Sequence, residues 1–229
     1  GYAPEGCFLE VDQEVSVNDV SLRDLALCAW LCNDARLHHD AGTGWQMTGD
    51  PTEGALLSLA WKAGVASDLD VRDAPRIDVI PFDSDNRYMA TLHKRVGAPS
   101  WLMLKGAPER ILELCASEAG GGRLDQLQWA ARMHQAAAQG MRVLALARRD
   151  LPEAQQALSL SDMTSDFTLL GMVGLIDPPR AEAMAAVAQC RQAGIRVKMI
   201  TGDHAGTAAA IGRRLGLSDE RTLTGDVIE

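Results

Sequence analysis

Apolar and polar positions along the chain follow two rhythms. Ser21 and Asp24 form a capping-box pattern, and Leu25, Ala29 and Cys32 then recur on one face, which predicts a helix. Residues 38–49 are polar and Gly-rich and read as a loop. Asp50-Pro51-Thr52-Glu53 predicts a second helix start, with Asp as the cap, Pro in the first turn and Glu three residues after the cap. That helix runs to about residue 63, where Gly64 ends it. Strand-like segments follow at 76–82, 88–94 and 100–105, separated by turns at Asp85-Asn86 and Gly97-Ala98-Pro99, and are therefore antiparallel. Pro108 opens a helix ending near Cys115, a longer helix spans about 125–139 and stops at Gly140, and 141–148 reads as a buried strand.

From residue 168 the order becomes strand (168–176), helix (180–193), strand (195–200) and helix (206–215), with Gly194 and Gly216 closing the helices. Such a β-α-β-α order predicts parallel strands with right-handed crossovers. Charge changes near the same point. The chain of 229 residues carries 22 Lys and Arg against 31 Asp and Glu, a net charge of −9. From Phe167 onward the two signs nearly cancel, so the acidity belongs to the earlier part. The division expected is 1–167 and 168–229.

An acidic chain lacks the basic footprint of nucleic-acid binding or of a polybasic membrane contact. The longest apolar run, 169–176, is far shorter than the roughly 18 residues that span a bilayer, and no basic-then-apolar signal segment opens the sequence. The five cysteines include no zinc-finger C-x-x-C pair, which fits a reducing setting. Cys28 and Cys32, four apart on one helix, read as core.

Candidate chemistry gathers at element ends. Thr201-Gly202-Asp203 sits between an expected parallel strand and a helix N-terminus, where open α/β sheets bind ligands and phosphates; the competing reading is a plain capped turn. Asp177-Pro178-Pro179-Arg180 is either a loop-orienting site or a stiff connector. Lys105-Gly106-Ala107-Pro108-Glu109 ends a strand, and its lysine either points past the sheet end, with Gly106 letting a ligand approach, or is solvated. Phe82, near Arg87, is a candidate for stacking on a base or a core aromatic, and Glu53 also completes a capping box. His38-His39 reads as a metal-ligand candidate or a solvated pair. Walker, zinc-protease, nucleophile-elbow and protein-kinase motifs do not occur.

Taken in order, these pieces resemble the cytoplasmic region of P-type cation-transporting ATPases. The resemblance is carried by Tyr2-Ala3-Pro4-Glu5-Gly6, by Ala29-Trp30-Leu31-Cys32-Asn33-Asp34, and by Gly49-Asp50-Pro51-Thr52-Glu53-Gly54-Ala55-Leu56. It continues in Lys105-Gly106-Ala107-Pro108-Glu109, in Asp177-Pro178-Pro179-Arg180, and in Met199-Ile200-Thr201-Gly202-Asp203 through Gly206-Thr207-Ala208. The resemblance implies an α/β (α+β) fold. An antiparallel sheet with flanking helices forms a nucleotide-binding domain over 1–167, followed by a partial parallel β-α-β segment of a haloacid dehalogenase-like phosphorylation domain over 168–229.

It also implies roles. Phe82 would stack on adenine, Glu53 would hydrogen-bond near the base, Lys105 with Gly106 would line the adenine pocket, and Arg87 and Arg142 would face the phosphates. Asp177, Thr201, Gly202 and Asp203 would belong to the phosphate site and hinge. Ser84 departs from the arginine that calcium pumps of the family often carry. The implied cofactors are ATP and Mg²⁺. The implied partners are the remaining domains and membrane helices of a pump and an unidentified transported cation, with no nucleic acid. The implied location is the cytoplasmic side of an integral membrane protein. The family's phosphorylated Asp-Lys-Thr-Gly-Thr motif and its Gly-Asp-Gly-x-Asn-Asp magnesium motif do not occur in this sequence, and would precede Gly1 and follow Glu229. The fragment is therefore expected to bind nucleotide without forming a phosphoenzyme. Two alternatives stay open: a soluble haloacid dehalogenase-superfamily phosphatase, for whose nucleophile motif Asp12 and Asp19 lack the context, and a nucleotide-sensing module without transport.

Overall fold

Among the described residues seven strands build the main sheet, in the spatial order Arg76–Ile80, Tyr88–His93, Ser100–Gly106, Arg142–Leu151, Phe167–Leu175, Cys115–Glu118, Gly122–Arg123. The computed structural model describes residues 2–10, 13–14, 16–17, 19–65, 74–176, 179–201, 205–217 and 223. In chain order the strands are β1 (Leu9–Glu10), β2 (Gln13–Glu14), β3 (Arg36–Asp40), β4 (Gly44–Thr48), β5 (Arg76–Ile80), β6 (Tyr88–His93), β7 (Ser100–Gly106), β8 (Cys115–Glu118), β9 (Gly122–Arg123), β10 (Arg142–Leu151) and β11 (Phe167–Leu175). The helices are α1 (Val20–Leu31), α2 (Pro51–Lys62), α3 (Pro108–Leu114), α4 (Gln126–Ala138), α5 (Ala181–Gln192) and α6 (Ala205–Arg214).

The antiparallel register follows from the short turns: Met89 faces Lys105 across β6 and β7, and Lys105 faces Leu146 across β7 and β10. Side chains alternate between faces. Met89, Met103 and Leu146 therefore share the face of Lys105, where they pack with Cys28, Ala29 and Cys32 of α1 and Leu56 of α2. Every residue of β6 is buried, so this strand is covered on both faces. The Cys28 and Cys32 thiols sit over backbone carbonyls of Leu104, Ala147 and Met89, and burial pushes both above the ordinary thiol range. Burial likewise pushes Cys115 up to about 12. These three cysteines serve as small core residues.

Local chemistry explains the element starts. Asp50 caps α2 by accepting the N–H groups of Thr52 and Glu53, with Pro51 in the first turn. Asp19, not Ser21, caps α1, because its carboxylate accepts the Leu22 N–H; Ser21 and Asp24 lie inside the helix. Residues 38–49 are not a loop but most of the β3–β4 hairpin, with His39 opposite Trp45. Its turn is made by the Asp40 carboxylate, which accepts the Gly42 and Thr43 N–H groups and is held below the usual carboxylate range by them.

Two compact units are present: Gly1–Leu124 with Leu144–Val173, and Asp125–Val143 with Gly174–Glu229. The line at 167/168 instead follows the change in sequence rhythm. The strand expected to open the second part is β11, and it is hydrogen-bonded in the main sheet, parallel to β8. The segment 195–200 forms no strand: a strand needs a partner for its backbone groups, and the described residues of that unit hold no complete strand, only the first two residues of β10 and the last two of β11. Within the second unit, α6 rests against the end of α4. Thr207 Oγ1 donates to Met141 O at 3.2 Å, Arg214 donates to Gln139 O at 3.2 Å, and Ala210 packs at Gly140.

Candidate nucleotide site

Lys105 and Glu53 form a largely buried ion pair, with side chains 9% and 16% exposed. Lys105 is the penultimate residue of β7 and Glu53 lies in the first turn of α2, so the sheet and the helix each deliver one charge. Nζ of Lys105 donates to Oε1 of Glu53. The second oxygen, Oε2, accepts the Asp34 N–H at 3.2 Å. Each formal charge thus has a partner, which a charge with little access to water requires. Cys32 lies close enough for the Lys105 charge to oppose the upward drift of its thiol.

Gly106 follows Lys105 for a steric reason. A Cβ there would stand 2.4 Å from the Arg87 carbonyl oxygen and 2.8 Å from Tyr88 Cα. On the side a Cβ would occupy, backbone approaches instead, and Ala107 N–H donates to Arg87 O at 3.0 Å, stapling the end of β7 to the turn that enters β6. That turn is built by Asp83. Its carboxylate accepts the Asp85 and Asn86 N–H groups, each at 2.8 Å, and the Asn86 side-chain amide at 2.6 Å. These bonds, led by those to Asn86, hold the Asp83 carboxyl below its ordinary value. Arg87 closes the turn with φ +57°, the one described non-glycine residue in the left-handed region.

Phe82 opens this turn and is 63% exposed, so it is not a core aromatic. Arg87 and Ser84 are exposed in the same turn. The structure therefore joins Lys105, Gly106 and Arg87 through backbone and Lys105 to Glu53 through side chains, with Phe82 on the rim of the same turn. Arg142 begins β10, is exposed, and falls in the second compact unit. Thr201 is exposed in that unit too. Asp177, Gly202 and Asp203 lie outside the described residues. A hollow of about 160 Å³ elsewhere on the first unit, lined by Asp24, Glu118 and Arg148, takes in none of the candidate residues. Among the described residues no group of His, Cys, Asp and Glu is arranged to hold a metal, and His39 packs its ring edge-on to Trp45 at 5.3 Å.

Sequence reasoning gave no role to Asn33 and Asp34. Asn33 donates from Nδ2 to Ala29 O (3.1 Å) and Glu53 O (3.0 Å) and accepts the Ala35 N–H at Oδ1 (2.9 Å). Asp34 pairs with Arg76 of β5 at 2.6 Å. The available signals were their place in the Ala29–Asp34 motif and an Asn just past a helix end, a position that favours side-chain capping of helix carbonyls.

A family model described as P-type ATPase, cytoplasmic domain N, matches residues 21–182. The chain is 42% identical over 231 residues to a Synechocystis protein named "Cation-transporting ATPase pma1" and 43% identical over 225 residues to a Mycobacterium tuberculosis protein named "Probable cation-transporting ATPase F". It is 34% identical over 224 residues to a Bacillus subtilis protein named "Calcium-transporting ATPase". These alignments take in 96%, 96% and 95% of the chain, which spans 25% of the length of each relative. No helix among the described residues is long and apolar enough to cross a membrane.

Proposed function

The chain belongs to the P-type cation-transporting ATPases, through their cytoplasmic domain N, and from that premise we propose that its sheet unit binds ATP on behalf of a cation pump. The observation that carries this reading is the buried Lys105–Glu53 pair beside a turn that presents Phe82 to solvent. An exposed aromatic face stacks on a base, with cationic groups nearby to meet phosphates. Phe82 takes the adenine, Glu53 and Lys105 bound its pocket, Gly106 holds the pocket wall against Arg87, and Arg87 meets the phosphates.

In the full pump the γ-phosphoryl group would pass from ATP to an aspartate with ADP leaving, and Mg²⁺, for which the described residues of this chain present no ligand set, would supply charge neutralisation there. Asp177, Thr201, Gly202 and Asp203 serve the receiving site and hinge. The chain then acts as the nucleotide domain (1–167) with part of the phosphorylation domain (168–229), on the cytoplasmic side of the membrane. Its partners are ATP, the pump's other domains and a transported cation. The 229 residues contain no Asp-Lys-Thr-Gly-Thr motif, so the part of that reaction assigned to them is the binding of nucleotide. The names of the relatives favour this reading over a free-standing phosphatase.

Titration with ATP, followed by ¹⁵N amide shifts, tests the reading. The expected result is movement of residues 53, 82–87 and 105–107 and none in the β3–β4 hairpin. Shifts confined to the hairpin, or to the hollow beside Arg148, contradict it.

A further inference from the structure

We infer that Asn33 is a positioning residue for the Glu53 carboxylate, locking the end of α1 to the first turn of α2 so that Glu53 keeps its place when Lys105 turns to a nucleotide. The inference rests on the ATP-binding reading above. A carboxamide offers two donors and an acceptor in one plane, and Asn33 uses all three functions. Its amide nitrogen spans two carbonyls, Ala29 O of α1 and Glu53 O of α2. Its oxygen turns the following backbone back by accepting the Ala35 N–H. Asp34 lies between those two points, and its N–H is the group that meets Oε2 of Glu53. Asn33 therefore fixes both ends of that hydrogen bond: the residue that donates and the residue that accepts.

The two oxygens of Glu53 are consequently unequal. Oε2 is tied to backbone, which has nowhere to go while Asn33 holds. Oε1 faces an ammonium on a flexible four-carbon stem. When the pair opens, Lys105 is the member that moves. Arg76 holds the Asp34 carboxylate from the edge strand β5, but that pair is well exposed and adds little.

The test is a double-mutant cycle on the whole chain, with ATP affinity read by calorimetry for wild type, Asn33→Ala, Glu53→Ala and the double variant. Asn33→Ala is expected to weaken ATP binding about tenfold with Glu53 present, and by less than about twofold in the Glu53→Ala background. It should also shift the Asp34 amide resonance with no nucleotide present. Asn33→Asp, which keeps size and acceptor but loses both donors, carries the same test if the alanine variant does not fold. An equal loss in both backgrounds marks a merely structural role and overturns the inference, as does unchanged affinity. Absence of ATP binding by folded wild type refutes the ATP-binding reading itself, and is distinguished by appearing before any substitution is made.

Discussion

The two compact units use apolar residues differently. In the sheet unit every position of β6 is buried, and β7 is buried at all but Trp101. In the other unit α5 buries no residue, and Ile195 and Ile200 stand exposed, the latter at 98%. The apolar content alone does not separate them. A helix satisfies its backbone hydrogen bonds from within, so α5 and α6 need no distant segment to pair with them. A strand draws its partners from distant sequence, so 195–200 stays unpaired where β10 and β11 do not. A site that needs fixed charges is thus better supported on the first unit, where Lys105 is held by strands on both sides.

The largest effect that sharpens this contrast is truncation in the core. Leu104→Ala, fully buried in β7, should cost about 2–5 kcal/mol in urea unfolding, whereas Ile200→Ala should stay within about 0.5 kcal/mol. Equal effects would erase the contrast.

Acid is the next lever. His93 is buried in β6 between Ala74 O and Thr91 Oγ1, at 3.0 and 2.9 Å, and burial lowers its pKa from 6.5 to about 4, with the Arg76 charge adding to the shift. The folded state therefore prefers the neutral ring. Stability from this residue is complete above pH 6.5 and falls as pH drops towards 4, by about 3 kcal/mol in all. Unfolding free energies across that range should show the slope in wild type and not in His93→Gln.

Smaller effects separate binding from folding. Phe82→Ala should weaken ATP binding by about 1–3 kcal/mol, as loss of base stacking does, with no fall in melting temperature because the ring is exposed. Asp50→Ala should lower stability by about 1 kcal/mol through loss of the α2 cap, and, by loosening the first turn that carries Glu53, weaken ATP binding as well.

Much of the sheet unit was legible because its signals are local. Asp50-Pro51 marks α2, Pro108 marks α3, and the turns at 85–86 and 97–99 separate strands that the structure gives as β5, β6 and β7. The β3–β4 hairpin was hidden because its strands are mostly polar and exposed and show no strict alternation, although Gly42 and Gly44 lie at its turn. β8 and β9 are too short to show a period. In the candidate site, the resemblance put Glu53 and Lys105 at one adenine, but their direct ion pair could not be read from the motifs. Glu53 and Lys105 are 52 positions apart and are joined by α2 packing on α1 and α1 on the sheet. Gly106 could be read as a place of close approach, yet only the fold shows that Arg87 backbone fills it.

The central claim is that the Lys105–Glu53 pair is the heart of an ATP site. Calorimetric titration of ATP into the chain, beside Lys105→Glu and the uncharged Lys105→Met, tests it most directly. The account predicts saturable binding by wild type, weakened in Lys105→Met and abolished in Lys105→Glu, where two carboxylates would face each other. Binding of equal strength in folded Lys105→Glu, or none in folded wild type, would contradict it.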